Sequence, residues 1–152
     1  MRPDKDFFDF VIAHEGCKLK AYQDSAGVWT IGIGTIQYED GSHVQPGDSI
    51  TQDRADELLA EEVAKKCHGL DAAITGVALN QNQYNALVSF AYNVGIGGLL
   101  GSTLLKKVRA NPSDPTIRDS FMVWDKAHVN GQLVEVQGLK NRRQAEADLY
   151  FS

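Results

Sequence analysis

No uninterrupted apolar segment of bilayer-spanning length occurs in these 152 residues, so a membrane-spanning helix is not expected. Positive charge is scarce: fifteen Lys and Arg stand against twenty Asp and Glu, a formal net charge of −5. A nucleic-acid binder carries a basic footprint, and the overall balance argues against one. Cysteine is scarcer still. Cys17 and Cys67 are the only two, with no CxxC and no Cys/His ligand spacing. Neither a disulfide framework nor a metal site is expected, and both thiols read as free and reduced. Repeats and low-complexity linkers are missing, which leaves a single domain over residues 1–152, long enough to bury one core. The charged start, Met1-Arg-Pro-Asp-Lys-Asp, is followed by no signal-peptide apolar region, so accumulation in the cytoplasm is the expectation.

What the chain does contain is concentrated between Glu15 and Thr35. Phe8, Val11, Ile12 and Glu15 follow i, i+3, i+4, i+7 spacing and share one face of a helix. The first three are expected to point into the core, with Glu15 at the end of the apolar wall and Gly16 as the helix stop. A carboxyl against such a wall has its charged form disfavoured, which is how a general acid keeps its proton near neutral pH. Asp24 has different neighbours. Gln23, Ser25 and Gly27 are polar or turn-forming, and Val28 to Ile31 reads as strand, so Asp24 is expected in a hydrated hairpin turn. Two carboxyls in contrasting surroundings divide acid and base roles, the logic of glycosidic bond hydrolysis. Thr30, on the strand after the turn, is placed to orient a water.

Around these residues the pattern predicts helices near 4–15, 51–68, 70–75, 81–93, 96–99, 102–110, 114–127 and 138–150, with short strands at 19–23, 28–33 and 35–38. Thr51 is the expected N-cap and Gly69 the expected stop of the long second helix. Beyond residue 70 no strand pattern stands out, and Asn130-Gly131 reads as a turn. The sum is an α+β fold with a small antiparallel sheet. Gly32 and Gly34 alternate with isoleucines, which fits a close approach of substrate or another backbone there and equally a bulge or bend in the strand. His43 follows the Asp40-Gly41-Ser42 turn and reads as a loop residue. Trp29 and Trp124 read as core, Trp124 in a helical stripe with Phe121. Lys106, Lys107, Arg109, Lys140, Arg142 and Arg143 could form a local basic patch or an ordinary solvated face. Cys17, two residues from Glu15, is a target for thiol reagents.

Glu15, Asp24 nine residues on and Thr30 six further resemble the Glu/Asp/Thr triad of the T-even phage lysozymes and related endolysins, glycoside hydrolase family 24. The surrounding run from Gly16 through Tyr22 and Asp24 to Thr30-Ile31-Gly32-Ile33-Gly34 is also similar. So are the blocks Asn80–Gly95, Gly101–Leu105 and Gly138–Glu146, which together cover most of the chain in order. The resemblance implies a lysozyme-like α+β fold. In it, a β-containing lobe near 16–60 and a helical lobe of 1–15 and 70–152 are joined by the helix at 51–68, with a substrate cleft between them. It implies an endolysin that cleaves the β-1,4 bond between N-acetylmuramic acid and N-acetylglucosamine in peptidoglycan, with inversion and without metal or organic cofactor. Glu15, Asp24 and Thr30 are then catalytic, and Gly32, Asn93, Gly95 and Arg142 contact substrate or orient the site. A separate holin would release a monomeric enzyme from the host cytoplasm to the periplasm and wall. The histidine that follows the corresponding glycine run in T-even lysozymes is Thr35 here, so any ion pair that histidine makes is not expected. Two other readings remain open from the residues: a lytic transglycosylase, which uses one glutamate, and a non-catalytic wall-binding phage component.

Overall fold

The computed structural model describes residues 1–152. The chain groups into two compact units, Phe8–Lys65 and Met1–Phe7 with Lys66–Ser152. Helices α1 (Lys5–Glu15) and α2 (Gln52–Ala73) each supply residues to both.

Helix α1 begins at Asp4, whose Oδ1 accepts the Phe7 N–H at 3.1 Å. It ends at Gly16, whose φ of +71° closes the last turn and lets its N–H reach the Ile12 carbonyl at 2.8 Å. The buried line of α1 differs from the expected one. Phe7 and Val11 are fully buried, Phe8 is half-buried, and Ile12 is 37% exposed. The apolar stripe is therefore rotated by one residue and runs Phe7, Val11, Glu15 at i, i+4, i+8.

In the 8–65 unit, strands β1 (Lys18–Gln23) and β2 (Trp29–Gly32) pair antiparallel, with Tyr22 opposite Thr30 and Gln23 opposite Trp29. The expected third strand at 35–38 does not form. Isolated bridges join Ile31 to Thr35 and Gln37 to His43, because the chain doubles back at once through Gly32 and Gly34, with φ of +62° and +76°. Beneath lie Ile31, Ile33, Val44, Ala55, Leu58, Leu59 and Val63, all buried. Thr51 caps α2 through its hydroxyl, which accepts the Arg54 N–H at 3.1 Å.

Helix α2 does not stop at Gly69; it continues to Ala73 and absorbs the separate helix expected at 70–75. The glycine serves packing instead. A Cβ there would come within 2.7 Å of Ile96, on the short helix α4 (Ile96–Leu100). Helix α3 (Gln81–Val94) opens with a capping box between Asn80 and Gln83 and buries every residue from Tyr84 to Ala91. Helices α5 (Thr103–Ala110), α6 (Ile117–Met122) and α7 (Gln137–Tyr150) complete the helical unit.

The helix expected at 114–127 is cut short at Met122. Strands β3 (Lys126–Val129) and β4 (Gln132–Glu135) follow, joined at Asn130-Gly131 with φ of +52° and +79°. That dipeptide suits a two-residue hairpin turn. Trp124 therefore lies in a connection and not in a helical stripe. It is half-buried, its ring edge-on to Phe90 at 5.6 Å.

Candidate active site

Glu15 is the last residue of α1, and the left-handed Gly16 fixes where its side chain begins. The carboxyl is half-buried and lies against Gly34, where an added Cβ would meet Glu15 Cδ at 2.8 Å. Only a residue without a side chain fits there. The close approach expected at the glycines is thus met from within the fold. Glu15 fills the space at Gly34, while Gly32 is buried, and a Cβ added there would stand 3.3 Å from Ala55 and Ile50.

Asp24 starts the turn between β1 and β2. Its Oδ1 accepts the N–H groups of Ala26 and Val28, both at 2.9 Å, while its backbone N–H donates to the Val28 carbonyl. The side chain is exposed, as expected of a hydrated turn carboxylate, and these bonds hold it in one orientation through one oxygen. Thr30 is 4% exposed, and its hydroxyl donates to the Val28 carbonyl at 2.9 Å. With that hydrogen engaged, Thr30 Oγ1 offers lone pairs and accepts further hydrogen bonds.

Tyr22 joins these groups and was not singled out by its residue type. It pairs across the sheet with Thr30, so the two side chains share a face. Burial pushes its phenol up from the ordinary value, and the negative charges of Glu15 and then Asp24 push it further. Both carboxylates thus act on one ring. Lys18 Nζ stands 4.3 Å from the centre of the same ring. The available signal was strand parity, since Tyr22 lies two residues before Asp24. Gly34 was signalled only as a glycine, since its partner lies nineteen positions away at Glu15. Cys17 is exposed, with Sγ 3.6 Å from Gln52 Oε1, whereas Cys67 is buried and its thiol is pushed up mainly by that burial.

The remaining predicted residues belong to the helical unit. Asn93 is half-buried near the end of α3, and Gly95 links α3 to α4 with a φ of +105°. Arg142 is buried on α7, its Nε 3.4 Å from Glu146 and its Nη2 3.4 Å from both Ser89 oxygens. Arg143 is fully buried, with Nη2 3.0 Å from Glu146 Oε2. Its Nε stands 2.6 Å from Oε1, close for opposite charges though out of line for a straight hydrogen bond. These two arginines leave no continuous basic patch on this face, and Lys140 pairs with Glu135 at 3.3 Å.

The chain matches the phage lysozyme family over residues 12–146 and belongs to it. It is 41% identical to an endolysin of Acyrthosiphon pisum secondary endosymbiont phage 1 over 139 residues, covering 91% of this chain and 90% of that one. Identity to the endolysin of Salmonella phage P22 is 36% over 138 residues, with the same coverage. Among solved structures, an endolysin from Escherichia coli O157:H7 phage FAHEc1 superposes with a TM-score of 0.90 at 39% identity, over 99% of this chain and 93% of that one. The muramidase domain of SpmX from Asticaccaulis excentricus gives 0.82 at 26% identity, over 99% and 98%. The α+β fold is lysozyme-like.

Proposed function

We propose that this enzyme is a phage-type endolysin, a muramidase that hydrolyses the β-1,4 bond between N-acetylmuramic acid and N-acetylglucosamine in peptidoglycan. The observation that carries the reading is the contrast between the two carboxyls around Tyr22. Glu15 is half-buried and wedged against Gly34, and Asp24 is exposed and tied to its turn by two N–H groups.

In the proposed reaction Glu15 gives its proton to the glycosidic oxygen as the C1–O bond breaks. A water adds to C1, and its proton passes to Asp24, which otherwise stabilises the oxocarbenium-like centre. Thr30 Oγ1 accepts a hydrogen bond from that water and aims its lone pair, since the hydroxyl's own hydrogen is engaged at Val28. Asn93, Gly95 and Arg142 contact or orient substrate. One water is consumed per bond, and a reducing end appears.

No helix is long and apolar enough to cross a membrane. The proposed route to the wall is a holin-dependent lesion, with the enzyme held as a monomer in the host cytoplasm until then.

The test is digestion of purified sacculi with product mass spectrometry. Hydrolysis gives reducing muropeptides; a lytic transglycosylase would give anhydro products lighter by one water, and a non-catalytic wall binder none. Glu15→Gln is expected to keep the native circular dichroism spectrum and lose about a hundredfold or more in rate. Full activity in that variant overturns the assignment.

A further inference from the structure

The hydroxyl of Tyr22 is unused by the fold. Tyr22 is half-buried on β1, and its Oη makes no hydrogen bond within the protein. One face of its ring is covered by Lys18 Nζ, 4.3 Å from the ring centre, so the ring is not an open platform for a sugar. What the side chain still offers is one donor hydrogen and two lone pairs.

Its surroundings decide which of these is presented. Tyr22 is directly opposite Thr30 in the sheet, which puts the two side chains on one face, with Cβ atoms roughly 5 Å apart. Asp24 is two residues on, where its N–H continues the ladder to the Val28 carbonyl at 2.9 Å, so strand alternation returns its side chain to that face. Burial, and then the negative charges of Glu15 and Asp24, hold the proton on the phenol, which stays neutral while the carboxyls titrate. In that field the hydroxyl dipole turns its hydrogen toward the carboxyls.

The water of the proposed reaction lacks one anchor. Thr30 Oγ1 has its own hydrogen engaged at Val28 and accepts from the water. Asp24 Oδ1 is taken by two N–H groups, and its other oxygen accepts the water's second hydrogen. Two acceptors fix both hydrogens but leave two equivalent lone pairs, of which only one faces C1. A donor placed on the other selects the productive one. The Glu15 proton is committed to the glycosidic oxygen, and neither Thr30 nor Asp24 has a hydrogen to give, whereas Tyr22 presents one.

We infer that Tyr22 is a further catalytic residue, whose hydroxyl donates a hydrogen bond to the nucleophilic water and, with Thr30 and Asp24, leaves that water a single free lone pair directed at C1. Tyr22 keeps its proton throughout: the water's proton passes to Asp24, and the Glu15 proton goes to the leaving oxygen. The inference rests on the muramidase reading above and adds a third partner to its water.

Tyr22→Phe removes one atom that no group of the protein holds, so the melting midpoint is expected to stay at the parent value. On sacculi kcat is expected to fall about tenfold, the scale of one hydrogen bond, with KM unchanged. Two further readouts separate this from altered packing or substrate binding. In the Glu15→Gln background, Tyr22→Phe is expected to leave the affinity for sacculi where it was, because the water is not part of the substrate. In a cycle with Thr30→Val, the double variant is expected to lose little more rate than the worse single variant, since both residues hold one water, whereas independent roles multiply. Parent-like kcat in Tyr22→Phe, a loss carried by KM or by affinity, or multiplicative losses in the cycle overturns the inference and leaves the muramidase reading standing. A parent enzyme that releases no reducing ends from sacculi sinks that reading, and this inference with it.

Discussion

Polar groups are handled in opposite ways in the two units. In residues 8–65 they sit in turns and at the surface: Asp24 orders the β1–β2 turn, Asp40 orders the next, and Asp48 accepts from Tyr38 and from the Gln45 N–H. In the helical unit the strongest charges are buried. Glu146 and Arg143 are fully enclosed, with the Arg143 guanidinium 5.0 Å above the Phe90 ring and Ser89 donating to Glu146 at 2.6 Å. An exposed turn acid changes partners readily, whereas a buried one is costly to disturb. Asp24 lies in the first kind of setting, Glu15 is half-buried at the end of α1, and the second kind holds a rigid core.

The sharpest way to break this contrast is Glu146→Ala. It leaves Arg143 buried without its carboxylate and should destabilise the protein by about 3–5 kcal/mol. Denaturant titration measures the loss. An unchanged midpoint would show that the buried pair contributes nothing.

Gly34→Ala attacks the other side. Its Cβ collides with the Glu15 carboxyl, and its φ of +76° strains any residue with a side chain. Displacement of the acid should cost about tenfold to a hundredfold in rate, since misplacement of a catalytic group by an ångström is worth that much. The accompanying stability loss is expected to be about 1 kcal/mol, measured by the same titration.

Much of this was legible because it is local. Glu15-Gly16 reads as a helix end, Thr51 reads as a cap, and Asn130-Gly131 reads as a turn, all within four residues. The strands around that last turn were not legible. They are exposed on nearly every residue, so they lack the alternation that marks a half-buried strand. Gly69 shows the reverse error. Glycine after a helical run suggests a stop, but its reason is Ile96, which no local pattern reveals. The candidate triad was visible through its resemblance to that of the T-even phage lysozymes, whereas Tyr22 and Gly34 acquire meaning only once strands pair and α1 ends beside the sheet.

The smallest expected effect compares two phenols, one in each unit. Tyr38 and Tyr150 are both pushed up to about 12, chiefly by burial, and Tyr38 also by its bond to Asp48. Because the folded value lies above the ordinary 10.0, each phenol's contribution is fully present below about pH 10 and is lost as pH rises through about 12. Tyr150→Phe removes the bond to the Pro112 carbonyl and should cost about 1 kcal/mol near neutrality, while flattening part of the alkaline decline. Tyr38→Phe should flatten the other part. Thermal melts from pH 8 to 12 separate the two.

Asp24 carries a consequence for how such an enzyme can be altered. One oxygen of its carboxylate is part of the scaffold of the loop it sits on, so the same side chain shapes the hairpin and, as proposed here, faces the reaction with its remaining oxygen. Asparagine preserves an acceptor for the two N–H groups, while alanine leaves both donors to solvent. Inactivation by Asp24→Ala would therefore mix lost chemistry with a relaxed loop, and an inactive wall-binding reagent is better built on the asparagine.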